Sequence, residues 1–251
     1  MHGKPRKYRA LVSSDWNECL APCGPFDFIS FTYPSLASDL GSIFKKYTGN
    51  EISLSEATRS IASILPAPVT EEEMDAYLDA CFETYRGVPE LMEWCRKKDV
   101  LFMINTTGMQ GYFQRVFRKG LLPKAPVVSA HPMIRYKEAE KIPSQWYDLF
   151  EIRDKPRNTR EAMNTWAITP AKTLLMGDSG GDGPHFEWGA RAGAFLVGSM
   201  TKWSLAQYCK SREINIDWYF GPRYAQGEKR KEELERKVDF TDLIPEIEQL
   251  L

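Results

Sequence analysis

The stretch RALVSSDWNECL, residues 9–20, combines a short apolar run with a carboxylate at the point where the run ends. Leu11 and Val12 favour a buried β-strand, because aliphatic and β-branched side chains in a short run are typical of one. Asp15 comes at the carboxyl end of this predicted strand, where open α/β sheets bind their ligands. A carboxylate there can act as a nucleophile, as a metal ligand, or simply as a turn residue after an ordinary strand.

Two further apolar runs of strand length also end in polar residues. Residues 100–104 (VLFMI) lead into Asn-Thr-Thr-Gly, and residues 173–176 (TLLM) lead into Gly-Asp-Ser-Gly-Gly-Asp. Fully apolar runs are typical of parallel sheets, whose strands are buried on both faces. Weaker strand signals lie at residues 127–128, 194–197 and 218–220. The sequence therefore predicts an α/β fold in which a Rossmann-like parallel sheet is flanked by helices.

The segment between the first two predicted strands has helical periodicity and no strand alternation. Ser53-Leu-Ser-Glu has the capping-box form that begins a helix, and the acidic run after Thr70 suits another helix N-terminus. The segment could be part of the core, but prolines at both of its edges favour a separate unit. We therefore expect an all-helical cap domain at residues 23–86, inserted after the first strand. The core domain would comprise residues 1–22 and 87–251.

The composition argues against several classes of protein. The chain has 251 residues, 43% of them hydrophobic, and a formal net charge of -1. These values are typical of a globular domain without general attraction for nucleic acid or an anionic membrane. No apolar run approaches the roughly 20 residues of a membrane helix, and no apolar stretch follows the basic N-terminus. The five scattered cysteines indicate reduced thiols. We expect a cytoplasmic protein, monomeric or homodimeric.

The polar residues that follow the predicted strands suit one another chemically. A parallel sheet brings the ends of its strands to one edge, so these residues would lie together. Asp15 and Asp178 are hard oxygen ligands of the kind that Mg²⁺ prefers. Thr106 offers a hydroxyl, and backbone N–H groups at a helix start can hold phosphate oxygens. Lys155, which precedes Pro156, adds a positive charge.

These motifs, in this order, resemble those of the haloacid dehalogenase (HAD) superfamily, whose members are most often phosphatases. The resemblance covers residues 11–197, and the stretch FMINTTGM at residues 102–109 is most similar to the branch of phosphoserine phosphatases and the methionine-salvage phosphatase. It implies a Mg²⁺-dependent phosphatase that acts on a small phosphorylated metabolite. Asp15 would attack phosphorus to form an aspartyl-phosphate, which water would then hydrolyse.

The resemblance also implies a role for each site residue. The catalytic residues would be Asp15, Asn17, Thr106 and Lys155. The phosphate would be held by Thr106, Thr107, Gly108 and Lys155. The metal would be held by Asp15, the carbonyl of Asn17 and Asp178, with Asp182 supporting its shell.

Asn17 departs from the family pattern, in which phosphatases usually carry an aspartate two residues after the nucleophile as general acid and base. A neutral amide cannot donate a proton to a leaving oxygen or accept one from water, and such help is typically worth roughly 10²–10⁴-fold. The alternative hypothesis is therefore a phosphate-binding protein of the same fold with little or no turnover. Dehalogenation, a third hypothesis, fits less well because Asp178 and Lys155 suit a metal and a phosphoryl group.

Residues near the motifs have simpler interpretations. Trp16 and Cys19 are expected to pack, and His185 is expected to lie in a loop or at a helix start. Glu18 is adjacent to Asn17 and could replace the missing carboxylate. Residues 228–237 mix basic and acidic side chains and predict a solvent-exposed helix.

Overall fold

The computed structural model describes residues 7–48, 51–137 and 145–251, and the strands within these ranges form one sheet. The strands are β1 (Ala10–Ser14), β2 (Val100–Met109), β3 (Val127–His131), β4 (Gln145–Asp148), β5 (Thr173–Gly177), β6 (Phe195–Ser199) and β7 (Trp218–Phe220). Their order is β4-β3-β2-β1-β5-β6-β7, and every pairing is parallel. The predicted parallel sheet is confirmed.

β1 is the central strand, and the strand order reverses beside it. Leu11 is paired with Leu101 of β2 on one side and with Thr173 of β5 on the other. All five residues of β1 are buried, as expected for a strand that is covered on both faces. Open α/β sheets bind ligands at such a switch point, outside the carboxyl ends of the strands. The first residue beyond β1 is Asp15.

Helices cover both faces of the sheet. They are α1 (Asp27–Thr32), α2 (Ala37–Thr48), α3 (Leu54–Ile64), α4 (Glu71–Cys81), α5 (Val88–Lys97), α6 (Gln110–Arg118), α7 (Asp154–Trp166), α8 (Gly183–Ala192), α9 (Trp203–Lys210), α10 (Glu232–Glu235) and α11 (Ile244–Gln249). Val12 faces a core that includes Leu91 of α5, whereas Leu11 packs with Met163 of α7. None of the described helices has the length and apolar character needed to cross a membrane.

The regular elements described between β1 and α5 are all helical. The predicted capping box at Ser53 is confirmed, since its side chain accepts the N–H of Glu56 and the Glu56 side chain accepts the N–H of Ser53. Thr70 and Glu73 form a second capping box at the start of α4. The division into a core domain and a cap domain remains a prediction. Residues 1–6 and 138–144 of the predicted core and residues 49–50 of the predicted cap lie outside the described residues.

The segment 23–86 is attached to the rest of the molecule through charged contacts. Arg115 of α6 donates to both carboxylate oxygens of Asp75 at 2.8 and 2.6 Å, and it also pairs with Glu71. The Arg115 side chain is 11% exposed, so this ion pair is shielded from solvent on one side. At the other end, the backbone N–H groups of Leu54 and Ser55 donate to the Glu151 carboxylate at 3.2 Å.

The structure differs from the sequence-based expectations at several boundaries. β2 continues through the polar residues to Met109, with a register irregularity after Asn105, instead of ending near residue 104. β4 was not predicted. The predicted solvent-exposed helix at residues 228–237 is confirmed over Glu232–Glu235 only, and the expected exposure is wrong for Glu235, which is completely buried.

Candidate active site at the carboxyl ends of the strands

Asp15 is buried immediately beyond β1. Its backbone N–H donates to the carbonyl of Met176 at 3.0 Å, which continues the pairing of β1 with β5. Its Oδ1 accepts the N–H of Trp16 at 2.8 Å, and its Oδ2 lies 3.3 Å from Nζ of Lys155. Burial raises the pKa of Asp15, and the charge of Lys155 opposes that shift. The lysine therefore favours the ionised carboxylate that a nucleophile requires.

Lys155 links Asp15 to Asp182. Its Nζ lies 2.6 Å from Oδ1 of Asp182, and its side chain is 1% exposed. Burial alone would lower the pKa of Lys155, but Asp15 and Asp182 raise it above its usual value, so the ammonium is charged. α7 begins at Asp154, so Lys155 lies in the first turn of that helix. The Lys-Pro dipeptide indicates a position ahead of the helix, and the structure differs from that expectation. The helix therefore fixes the position of the ammonium.

Three buried carboxylates meet beside this lysine. Asp15, Asp178 and Asp182 each offer one oxygen, and the three oxygens lie within 4.8 Å of one another. Asp182 is oriented by the backbone N–H groups of Asp178 and Ser179, which donate to its Oδ2 at 3.0 and 3.3 Å. A Cβ at Gly177 would come within 2.4 Å of Cγ of Asp182, so the approach of this carboxylate requires glycine there.

The donor set fits Mg²⁺. Buried carboxylate oxygens are the ligands that this cation prefers. Burial raises the pKa of Asp178 to about 7, while the charge of Lys202 acts in the opposite direction. Oδ2 of Asp178 is buried and lies 2.6 Å from Nζ of Lys202, in an ion pair without hydrogen-bond geometry. Buried carboxylates that lie close together repel one another, and a bound cation would stabilise them.

The residues predicted to bind phosphate lie next to Asp15. The Thr106 hydroxyl donates to Oδ1 of Asn17 at 3.2 Å, and it lies near enough to Asp15 to lower the pKa of that carboxyl. The backbone N–H of Gly108 donates to the Thr106 hydroxyl at 3.2 Å. A Cβ at Gly108 would lie 3.1 Å from Oδ1 of Asn17, so glycine keeps this wall of the site close. The Thr107 side chain is a neighbour of Tyr47 and lowers the pKa of that phenol.

Both ends of the Asn17 amide have partners. Oδ1 accepts the Thr106 hydroxyl, and Nδ2 donates to the carbonyl of Cys23 at 3.2 Å. The amide therefore connects the strand β2 with the loop that enters segment 23–86. An amide can orient groups in this way, but it supplies no proton. The predicted metal contact through the Asn17 carbonyl remains a prediction.

Three charged residues at the site belong to none of the motifs found in the sequence. Nζ of Lys202 lies 2.6 Å from Oδ2 of Asp178 and also pairs with Glu18. Glu18 pairs in addition with Nη1 of Arg230 at 2.5 Å. Because two cations hold Glu18, it is poorly placed to replace the missing general acid. Lys202 follows β6, another parallel strand, and this position is the signal by which the sequence could have revealed it.

Tyr47 also reaches the site, from α2. The sequence pattern assigns it to the apolar face of that helix. Burial raises the pKa of Tyr47 to about 12, and the neighbouring Thr107 side chain opposes this shift. The charges of Lys155 and Asp15 also act on its pKa. Segment 23–86 therefore contributes a polar group next to the predicted phosphate-binding residues.

The remaining nearby residues behave as expected. Trp16 is buried and meets Phe113 edge to face, with ring centroids 5.5 Å apart. Cys19 is buried in the main hydrophobic core. His185 is in the first turn of α8, and its Nε2 lies 2.9 Å from the Thr159 hydroxyl. Burial lowers the pKa of His185 to about 3, so the imidazole is neutral.

No protein-family model and no curated protein matches the sequence. Solved structures do match. The chain is similar to a phospho-aspartyl intermediate analogue of phosphoserine phosphatase, with 12% identity over 96% of this chain and 99% of that one, at a TM-score of 0.64. A substrate-bound phosphoserine phosphatase complex matches with 11% identity over 97% and 99% of the two chains, at a TM-score of 0.63.

A HAD family hydrolase from Salmonella enterica serovar Typhi is similar as well. The two chains are 14% identical, and the match covers 98% of this chain and 74% of the hydrolase, with a TM-score of 0.66. At such identities the likeness concerns the fold. The chain has the fold of HAD family hydrolases and of phosphoserine phosphatase, and the resemblance found in the sequence is confirmed at that level.

Proposed function

We propose that the protein is a Mg²⁺-dependent phosphatase that hydrolyses a small phosphorylated metabolite through a covalent intermediate on Asp15. One observation carries the proposal: Asp15 is buried at the end of the central strand, between Lys155 and Thr106 and beside two further carboxylates. This arrangement occurs in a fold shared with phosphoserine phosphatase. A nucleophile, a cation and a hydroxyl donor around one point suit an anionic phosphoryl group.

The residues present account for binding of the phosphoryl group and for both bond exchanges at phosphorus. Lys155 and the Thr106 hydroxyl hold phosphoryl oxygens while an oxygen of Asp15 attacks phosphorus. The bond from phosphorus to the alcohol oxygen breaks, and this oxygen leaves with the electron pair and takes a proton from solvent. Water then attacks phosphorus of the aspartyl-phosphate and gives up a proton to solvent, which releases phosphate and restores the carboxylate. Mg²⁺ would be held by Asp15 and Asp178, with Asp182 in support, and when bound it would neutralise charge developing on the phosphoryl group.

Proton transfer is the step that this chain supports least. The alcohol needs a proton as it leaves, and Asn17 has none to give because its amide is neutral and already hydrogen-bonded. An acidic alcohol leaves its phosphate ester without such help. We therefore expect faster turnover of aryl phosphates than of alkyl phosphates.

The Asp15→Asn variant tests the nucleophile. Hydrolysis of p-nitrophenyl phosphate should be lost in this variant, because an amide cannot attack phosphorus. In the unaltered protein, EDTA should abolish hydrolysis and added Mg²⁺ should restore it. Asp79→Asn is the matched control, since Asp79 is an exposed carboxylate that pairs with Lys119 on the surface. Hydrolysis that survives Asp15→Asn would contradict the proposal.

Asn17 supports the second candidate, a phosphate-binding protein with little turnover. The Asn17→Asp variant would supply the missing acid and base, and we expect it to raise turnover by roughly 10²–10⁴-fold. Asn17→Ser is the control, because it removes the amide without adding a carboxylate. Binding of inorganic phosphate by an inactive protein that gains activity in Asn17→Asp would favour this candidate. Efficient turnover of alkyl phosphates by the unaltered protein would exclude it.

A further inference from the structure

Lys202 provides a cation at the position where the carboxylate cluster would bind a metal. We propose that its ammonium competes with Mg²⁺ for Asp178, and that Glu18 is the alternative partner to which Lys202 turns when Mg²⁺ binds. The inference rests on the proposed function for the identity of the metal. The observation behind it is that Nζ of Lys202 lies 2.6 Å from Oδ2 of Asp178 and also contacts Glu18.

The backbone holds Lys202 over the carboxylate cluster. Its N–H donates to the carbonyl of Asp178 at 2.8 Å. Two residues later, the Ser204 hydroxyl accepts the N–H of Gly180 at 3.0 Å. The loop after β6 is therefore attached at two points to the loop that carries Asp178. The Lys202 side chain is 29% exposed, which leaves it room to move without unfolding the loop.

Glu18 is held by contacts that do not involve Lys202. Arg230 pairs with its carboxylate, and its backbone N–H donates to the carbonyl of Ala21 at 2.7 Å. Its φ of 57° is an uncommon conformation for a non-glycine residue, and it is retained here in a short turn. Lys202 therefore has two fixed anionic partners, of which one is a predicted metal ligand.

An ammonium and a divalent cation interfere with each other on one carboxylate. Mg²⁺ binds carboxylate oxygens at about 2.0–2.1 Å, so it would lie within a few ångströms of an ammonium on the same oxygen. Repulsion between like charges at that separation is strong in a poorly hydrated site. Mg²⁺ affinity is therefore lower than the three carboxylates alone would give, and it depends on where Lys202 lies.

Titration calorimetry with magnesium chloride, in the absence of substrate, tests the competition. We expect Lys202→Met to bind Mg²⁺ at least about tenfold more tightly than the unaltered protein. Lys202→Arg, which keeps the charge, should bind no more tightly. Lys231→Met is the matched control, because Lys231 forms a similar 2.6 Å ion pair with Glu228 on the surface. A folded Lys202→Met variant with unchanged or weaker Mg²⁺ binding would overturn the inference.

Glu18→Gln provides a second, opposite test. Without the alternative partner, Lys202 should remain on Asp178 and Mg²⁺ binding should weaken by about threefold or more. In the Lys202→Met background the same change should have little effect, because no competitor is left. An equal effect in both backgrounds would indicate general electrostatics and overturn the inference. Thermal unfolding checks each variant, and Lys202→Gln replaces Lys202→Met if the latter does not fold.

The two proposals fail separately. A protein that hydrolyses p-nitrophenyl phosphate through Asp15, but whose Mg²⁺ affinity is the same with and without the Lys202 charge, loses only this inference. Retained hydrolysis in Asp15→Asn, together with tighter Mg²⁺ binding in Lys202→Met, removes the phosphatase mechanism and leaves the competition intact.

Discussion

Individual buried charges determine the electrostatics of the site. Lys155 and Asp182 are almost completely inaccessible to solvent, and each relies on the other for compensation. Removing one member of such a pair leaves an uncompensated charge in a poorly hydrated place, which costs more than the pair itself contributes. Substitutions at these two positions therefore alter folding as well as chemistry.

His185 gives a prediction about pH at the scale of a single residue. Its pKa is about 3 in the folded protein and 6.5 in the unfolded chain, so the unfolded chain binds a proton first as the pH falls. Its contribution to stability is fully present above pH 6.5 and is lost progressively toward pH 3. We expect the free energy of unfolding to fall in this window by up to about 1.4 kcal/mol per pH unit from this residue.

Urea unfolding at several pH values measures that slope. The unaltered protein should be compared with His185→Gln, which cannot take up the proton but can still hydrogen-bond to Thr159. The variant should lose less stability on acidification. Equal slopes for the two proteins would contradict the assignment of a neutral, buried imidazole.

Residue identities alone explain why some site residues were predicted and others were not. Asp15, Thr106 and Asp178 follow apolar runs directly, so the sequence marks them as ends of strands. Tyr47 carries no such mark, and Lys202 follows the apolar run at residues 194–197 only after several intervening residues. Their roles depend on which loop and which helix lie over the site, and this is a tertiary property.

At the scale of the element, α2 brings a polar group from segment 23–86 to the predicted phosphate-binding residues. The Tyr47 phenol lies near Thr107, which lowers its pKa, and near the charges of Lys155 and Asp15. We expect Tyr47→Phe to weaken binding of inorganic phosphate by about fivefold, the equivalent of roughly 1 kcal/mol for one hydrogen bond. Calorimetry with phosphate in the presence of Mg²⁺ measures the change.

Tyr33→Phe is the control for this prediction. Tyr33 lies in the same segment, and its hydroxyl donates to Glu73 at 3.2 Å. Phosphate affinity should be the same as in the unaltered protein. If both variants weaken phosphate binding equally, the effect comes from the stability of the segment and not from Tyr47.

Elements with strong periodicity could be predicted, and those at the margins of the sheet could not. β1, β5 and the capping box at Ser53 have clear sequence signals. β4 is an edge strand of four residues with half-buried or exposed side chains, so no alternating pattern marks it. The polar end of β2 has the composition of a loop, yet it pairs with β3 because its neighbour continues beyond the apolar run.

At the scale of the whole molecule, Glu235 connects distant parts of the chain. Its carboxylate accepts the hydroxyls of Tyr85 and Tyr224 at 2.6 and 2.8 Å and pairs with Arg230 at 2.6 Å. Burial opposes ionisation, but these hydrogen bonds keep the pKa of Glu235 below its usual value. We expect Glu235→Ala to destabilise the protein by about 3 kcal/mol, because it leaves Arg230 and two hydroxyls without their partner.

Chemical denaturation of Glu235→Ala measures this loss. Glu233→Ala, an exposed glutamate on the same short helix, should change stability by no more than about 0.5 kcal/mol. Loss of stability in Glu233→Ala of the same size would show that the charge of the segment matters and the buried contacts do not. No sequence signal marks this role, since Glu235 lies among charged neighbours that do face solvent.

Glu18 meets Lys202 and Arg230 across 184 and 212 positions of the chain. A polypeptide emerges from the ribosome N-terminal end first, at about 5–20 residues per second. The acidic residues are therefore synthesised well before Arg230, and a nascent chain that ends before Lys202 holds Asp178 without its tethered cation. The edge of the sheet that carries the three carboxylates can reach its final charge balance only late in translation, whereas β1 and β2 can pair much earlier.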